Sequence, residues 1–245
     1  MSKEEKAKKK KPTKAKEPQP KSEPKPPEAE PEVTMDFEDE DLDALEEGDE
    51  KIIIINNIEQ PAQRESILRT IALYGDLTES LASEIVQSFM FLKELGEHQL
   101  KAGESEECKP IEFLISTCGG VAAEMFAIYD TVKLVQGTCE VSTIGMGKVM
   151  SAGVVLLAAG TKGKRKIGAN CRVMIHSVNG GYHGSLSNME NEIAEVRWIQ
   201  DRYVECLAAE TKMTEREIRK YLKKHVDVYL SAEEAVELGI ADIIV

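Results

Sequence analysis

Aromatic side chains are scarce in this 245-residue chain: five Phe, six Tyr and one Trp. Of these only Phe37 falls in the first 50 residues, a stretch with too little apolar surface to offset the entropy of ordering its backbone. Nowhere does the chain approach the ~20 continuous apolar residues of a membrane span. The Lys-rich start has no apolar run behind it, which rules out a secretory signal. Phosphate-loop spacing (G-x-x-x-x-G-K-S/T) is missing, so no nucleotide site of its own is legible. Neither a Cys-x-x-Cys pair nor a histidine at zinc-ligand spacing occurs, so no metal site is visible. The cysteines, Cys108, Cys118, Cys139, Cys171 and Cys206, are odd in number. That pattern reads as a reduced, cytoplasmic-type protein.

What is abundant is charge, and it is unevenly placed. Residues 1–25 hold ten Lys and four Glu, whereas residues 26–50 hold thirteen acids and no Lys or Arg. The remaining 195 residues carry 21 basic and 27 acidic side chains, so the chain's net −13 divides as +6, −13 and −6. Adjacent blocks of opposite sign screen each other, which argues against a nucleic-acid arm. Residues 1–50 therefore read as a disordered charged tail, and 51–245 as one compact domain.

Along that domain apolar periodicity alternates between strand and helix. Ile52–Ile55 is a short β-branched run. Arg69–Tyr74, Ile111–Ser116, Cys139–Ile144, Arg172–Ile175 and Ile240–Val245 read as strands. Leu81, Ile85, Phe89, Leu92 and Leu95 form one stripe of a helix over 78–95, stopped by Gly96. Further helices are expected over Val121–Val135, from Ser151 to Ala159 and over 185–211. Thr214 with Glu217, and Ser231 with Glu234, are capping boxes that open two more. The class is α/β with mostly parallel pairing.

Three polar residues stand at suggestive places. Ser151 follows a strand and a Gly-x-Gly turn and opens an apolar helix. By spacing it is a helix cap; chemically it is a nucleophile beside unpaired helix-start amides that can face an oxyanion. Val149 replaces the first Gly of a Gly-x-Ser-x-Gly elbow, so that motif is not matched. His176 ends a strand and is a general-base candidate, with His183 a weaker rival; His98 and His225 lie in charged stretches and read as surface residues. Asp227 is either a turn carboxylate or the group that orients an imidazole. Gly119-Gly120 is a tight strand-to-helix turn or a place where an amide and a peptide backbone come close.

Taken in order, RTIALYG, IST-C-GG with FAIYDTV, GKVMSAG with LLAAGTKGKR, RVMIH, GGYHG and DVYLSAEEAVELGIAD resemble the proteolytic subunit of the Clp protease, the ClpP family, from Arg69 to Val245. The resemblance implies a ClpP/crotonase-like fold of βαβ units with a protruding helical handle. It implies heptameric rings stacked into a tetradecamer around a sealed chamber, which cleaves unfolded polypeptides and short peptides. Ser151 matches the family nucleophile, His176 the general base and Asp227 the orienting acid. The backbone amides of Gly120 and Ala152 match the oxyanion donors, and Gly119, Gly120 and Met150 flank the substrate. No cofactor is implied for this chain; ATP would be used by a separate AAA+ unfoldase. Neither nucleic acid nor membrane is an expected partner, and the expected location is cytoplasmic. The family's usual Ser-Pro-Gly-Gly is here Thr117-Cys118-Gly119-Gly120. Lys148, Val149 and Met150 replace small residues before the serine, Lys148 adding a Ser–Lys alternative, and Val226 stands where a basic residue is common. A dedicated processing protease, for instance of a viral capsid, and a non-catalytic ring subunit are the competing readings. The tail is either a propeptide removed by self-cleavage or a permanent recruitment arm.

Overall fold

A computed structural model describes residues 68–223 and 226–245. The charged tail, the Ile52–Ile55 run and His225 lie outside them. In chain order the elements are β1 (Thr70–Tyr74), α1 (Glu79–Lys101), β2 (Ile111–Thr117), α2 (Ala122–Val135), β3 (Val141–Met150), α3 (Ala152–Ala158), β4 (Lys166–Ile167), β5 (Arg172–Ile175), α4 (Leu186–Glu210), α5 (Glu215–Leu222), β6 (Val228–Leu230), α6 (Ala232–Glu237) and β7 (Ile243–Ile244). The sheet runs β1-β2-β3-β4-β7 with every pairing parallel. The mixed α/β class with a mostly parallel sheet is as expected.

Position in the sheet follows from β3. Ile144 and Gly145, near its middle, pair with β4, and its far end, Lys148–Met150, pairs in parallel with β5. β6 then adds antiparallel to β5. One strand thus serves two branches of the sheet. Gly145-Met146-Gly147, expected as a turn after a strand ending at Ile144, instead lies inside β3, which runs on to Met150. Between Ile115 and Thr117 the β2 register advances by two residues while β3 advances by four, from Gly145 to Val149. Such a bulge bends a strand without ending it.

The core lies between this sheet and α1, α2 and α3. α1 buries Ala82, Ile85, Phe89 and Leu92, as its apolar stripe requires, and Phe89 meets Phe113 of β2 edge-on at 5.2 Å between ring centres. α3 is buried along its whole length, from Ala152 to Ala158, which suits its run of Val, Leu and Ala. Both capping boxes form reciprocally, at Thr214/Glu217 and at Ser231/Glu234.

Two further expectations change. α1 does not stop at Gly96 but continues to Lys101. Gly96 is a contact point instead: a methyl group there would collide with the sulfurs of Cys108 and Cys139. Those two cysteines form a disulfide, which corrects the reading of a reduced protein. Cys118, Cys171 and Cys206 remain free. The Arg69 guanidinium lies over the bridge, with Nη2 3.6 Å from one sulfur and 3.7 Å from the other.

Candidate active site

β3 passes into α3 with a single residue between them, and that residue is Ser151. To reverse direction in so short a space the backbone adopts φ 53°, ψ −121°. Among the described residues it is the only non-glycine with positive φ. A side chain held there costs of order 1–3 kcal/mol, so neighbours must fix it. Ser151 N donates to Met174 O at 2.8 Å, and Val154 N donates to Ser151 O at 3.0 Å. Tyr203 OH reaches the same carbonyl at 3.4 Å. The hydroxyl makes no cap hydrogen bond. The capping role that spacing favoured is therefore not what this serine performs.

The Gly119-Gly120 turn is pressed against it. Gly119 N donates to Thr117 Oγ1 at 2.9 Å, closing a small side-chain turn at the end of β2. Leu77 then bridges the loop: its N–H donates to Gly119 O at 2.8 Å, and its carbonyl accepts from Val121 N at 3.1 Å. This pairing leaves the Gly120 N–H outside the bridge. Gly119 has φ +103°, and a Cβ there would stand 2.6 Å from the Ser151 Cβ. Gly120 has φ +156°, and a Cβ there would enter the Leu77 carbonyl. Both glycines are demanded by conformation and by space. Ala152, as the first residue of α3, has an N–H with no partner inside the helix.

His176 directly follows β5, the strand that pairs with β3 up to Met150↔Met174. It is half-buried. Ser151, Ala152, Gly120 and His176 line one cleft of about 570 Å³. Its other walls are largely apolar, including Val121, Met125, Val178 and Ile199, with Glu192 the one carboxylate among the described residues. Asp227 arrives by another route. The antiparallel β5–β6 register runs Val173↔Leu230, Met174↔Tyr229, Ile175↔Val228, and one further step sets Asp227 across from His176. Asp227 is exposed. Among the described residues no hydrogen bond joins the side chains of Ser151, His176 and Asp227.

Of the remaining candidates, Gly119 is buried beneath Ser151 and Met150 is half-buried behind it; neither lines the cleft. His98 and His183 are exposed and do not line it. Lys148 points elsewhere than Ser151: its ammonium lies 3.1 Å from Cys118 Sγ. Sequence reasoning missed Tyr203, whose place on the inner face of α4 looks like ordinary core, and Thr117. A threonine two residues before a glycine was a usable signal for the turn it makes.

A parallel α/β sheet, a serine forced into a strand-to-helix elbow and a histidine in the same cleft have the build of a hydrolase. The family model described as Clp protease matches residues 57–245. The chain belongs to that family and is a ClpP-type peptidase.

Proposed function

We propose that this chain is a serine endopeptidase in which Ser151, His176 and Asp227 act as a triad. The observation that carries the reading is the unpaired Ser151 hydroxyl, held at φ 53° in a cleft shared with His176. Ser151 Oγ attacks the scissile carbonyl, and His176 takes its proton and then passes it to the departing amine. Asp227 fixes the imidazole's orientation. The N–H groups of Gly120 and Ala152 donate to the oxyanion, and water releases the acyl group. The three side chains close to about 3 Å of one another as substrate and neighbouring subunits engage, since catalytic hydrogen bonds are commonly looser before binding.

An extended substrate pairs its backbone beside Gly119-Gly120, in the manner of strand addition, while Met150 supports the serine from outside the cleft. The apolar lining suits an apolar side chain next to the cut. Family membership supports a chamber of stacked heptameric rings, with folded substrates delivered by a separate AAA+ unfoldase that spends the ATP; the chain itself uses no cofactor. Cleavage of a short fluorogenic peptide, measured alongside native mass on one sample, tests the whole reading. Wild type cleaves as a ring assembly, and Ser151→Ala keeps the mass and drops cleavage by at least about a thousandfold. Equal cleavage by the variant removes Ser151 from this role.

A further inference from the structure

Cys118 and Lys148 form a polar pair that the proposed reaction does not use. Among the described residues Cys118 is the only exposed free thiol; Cys171 and Cys206 are buried. Two local features create the pair. The β3 bulge leaves Met146, Gly147 and Lys148 exposed. The Thr117–Gly119 turn puts Cys118 at the surface between two buried neighbours. Lys148 Nζ then lies 3.1 Å from Cys118 Sγ. The hydrogen bond to Cys118, with the sulfur's charge, holds Lys148 above the usual lysine range, so it stays an ammonium.

Cys118 also lines the cleft that holds Ser151 and His176. The residue after it, Gly119, is packed against Ser151. A thiol beside an ammonium is favoured in its nucleophilic form, whereas thiols buried in apolar surroundings are inert. Here the exposed thiol, with an ammonium 3.1 Å from its sulfur, stands where a peptide would pass.

We infer that Cys118 is a covalent modification site for small soft electrophiles, activated by Lys148, and that an adduct there closes the cleft beside Ser151. The second half rests on the peptidase reading. With iodoacetamide as the electrophile, a sulfur lone pair forms the S–C bond. The C–I bond breaks with its electrons leaving as iodide, and the thiol proton goes to water. Lys148 keeps its proton throughout, and nothing is oxidised or reduced.

The test uses the full chain, without reductant and at one fixed pH. Carbamidomethylation is timed at each cysteine by peptide mass spectrometry, and Ser151 is then labelled with a fluorophosphonate. Cys118 reacts at least about tenfold faster than Cys171 or Cys206, Lys148→Met slows it about fivefold, and Lys148→Arg does not. Alkylated wild type loses at least about nine-tenths of its Ser151 labelling, while treated Cys118→Ser keeps the labelling of its own untreated sample. Equal Cys118 rates in wild type and Lys148→Met overturn the activation. Undiminished Ser151 labelling after complete alkylation overturns the closure. Absence of Ser151 labelling in untreated wild type instead removes the proposed peptidase role, and the Cys118 rates still decide the thiol site.

Discussion

Two polar clusters interrupt the apolar core of this domain, and they differ in whether their atoms have partners. Around Glu210, at the end of α4, every group is paired. Its carboxylate takes Tyr129 OH at 2.9 Å, Lys133 at 2.7 Å and Lys162 at 3.0 Å. Its carbonyl takes Arg165 Nη1 at 2.7 Å, and Arg165 Nε in turn donates to Asp242 at 2.8 Å. Around Ser151 the backbone is held in a costly conformation and the hydroxyl has no partner. Among the described residues no buried side-chain nitrogen or oxygen is left unsatisfied, so the free hydroxyl is one that faces the cleft. Saturated polar groups stabilise the chain that contains them. Strained and unpaired ones are kept for something outside it.

The sharpest way to break that contrast is at Glu210. Glu210→Ala leaves Tyr129, Lys133 and Lys162 without their shared acceptor. The lysines are partly exposed and can rehydrate, so the loss is about 3 kcal/mol, at the low end for breaking such a cluster. Thermal unfolding should fall by about 6–12 °C, while cleavage per folded molecule at room temperature stays at the wild-type level. A variant that unfolds normally would show the cluster to be ornamental.

Gly119→Ala tests the opposite region. Its new methyl group must push on the Ser151 Cβ, and a displacement of this kind costs about a hundredfold in cleavage rate. Unchanged kinetics in a folded variant would mean that the elbow tolerates movement.

The saturated cluster also has a pH signature. Burial alone would raise the Glu210 carboxyl, but hydrogen bonds from Lys133 and Lys162 override it and hold it below its usual range. At Asp242 burial is likewise overridden, by Arg165. Groups depressed on folding contribute stability that is fully present above the ordinary carboxylate range, near pH 4, and lost as pH falls through their folded values. Melting temperature followed from pH 6 to pH 3 should drop steeply in wild type and less steeply in Glu210→Gln. Parallel curves would place the acid-sensitive groups elsewhere.

The smallest effect has the opposite sign. Ser151→Gly removes both hydroxyl and backbone strain, so it should abolish cleavage yet raise the melting temperature by about 2–4 °C, a net gain near 1 kcal/mol. Differential scanning calorimetry of the two proteins decides it; a lower melting temperature would mean that φ 53° is unstrained.

Local chemistry was legible in the sequence, and long-range pairing was not. The stripe Leu81–Leu95 marked α1, and Thr214/Glu217 and Ser231/Glu234 marked helix starts, because those signals act within one turn. Gly96 misled because a glycine admitting a neighbour's sulfur looks the same in sequence as one ending a helix. Cys108 and Cys139 are 31 residues apart, and nothing in that spacing announces a bond. β6 is three residues long, too short for any alternation to show. At the candidate site the strand-to-helix position of Ser151 was readable, but its positive φ was not. The place of Asp227, one residue before β6, depends on an antiparallel β5–β6 register that exists only after folding. Its grouping with Ser151 and His176 came from the family resemblance.

The bond from Ser151 N–H to Met174 C=O lies two positions before His176. That pin is the last link of the β3–β5 pairing, Lys148–Met150 with Arg172–Met174, so the proposed nucleophile and base cannot drift apart unless the sheet opens there. Grafting this chemistry onto another scaffold would mean moving a whole crossing of segments: the end of β3, the start of α3, the end of β5 and the glycine turn wedged beneath them. Three side chains set at the right separations on a new backbone would lack the pin.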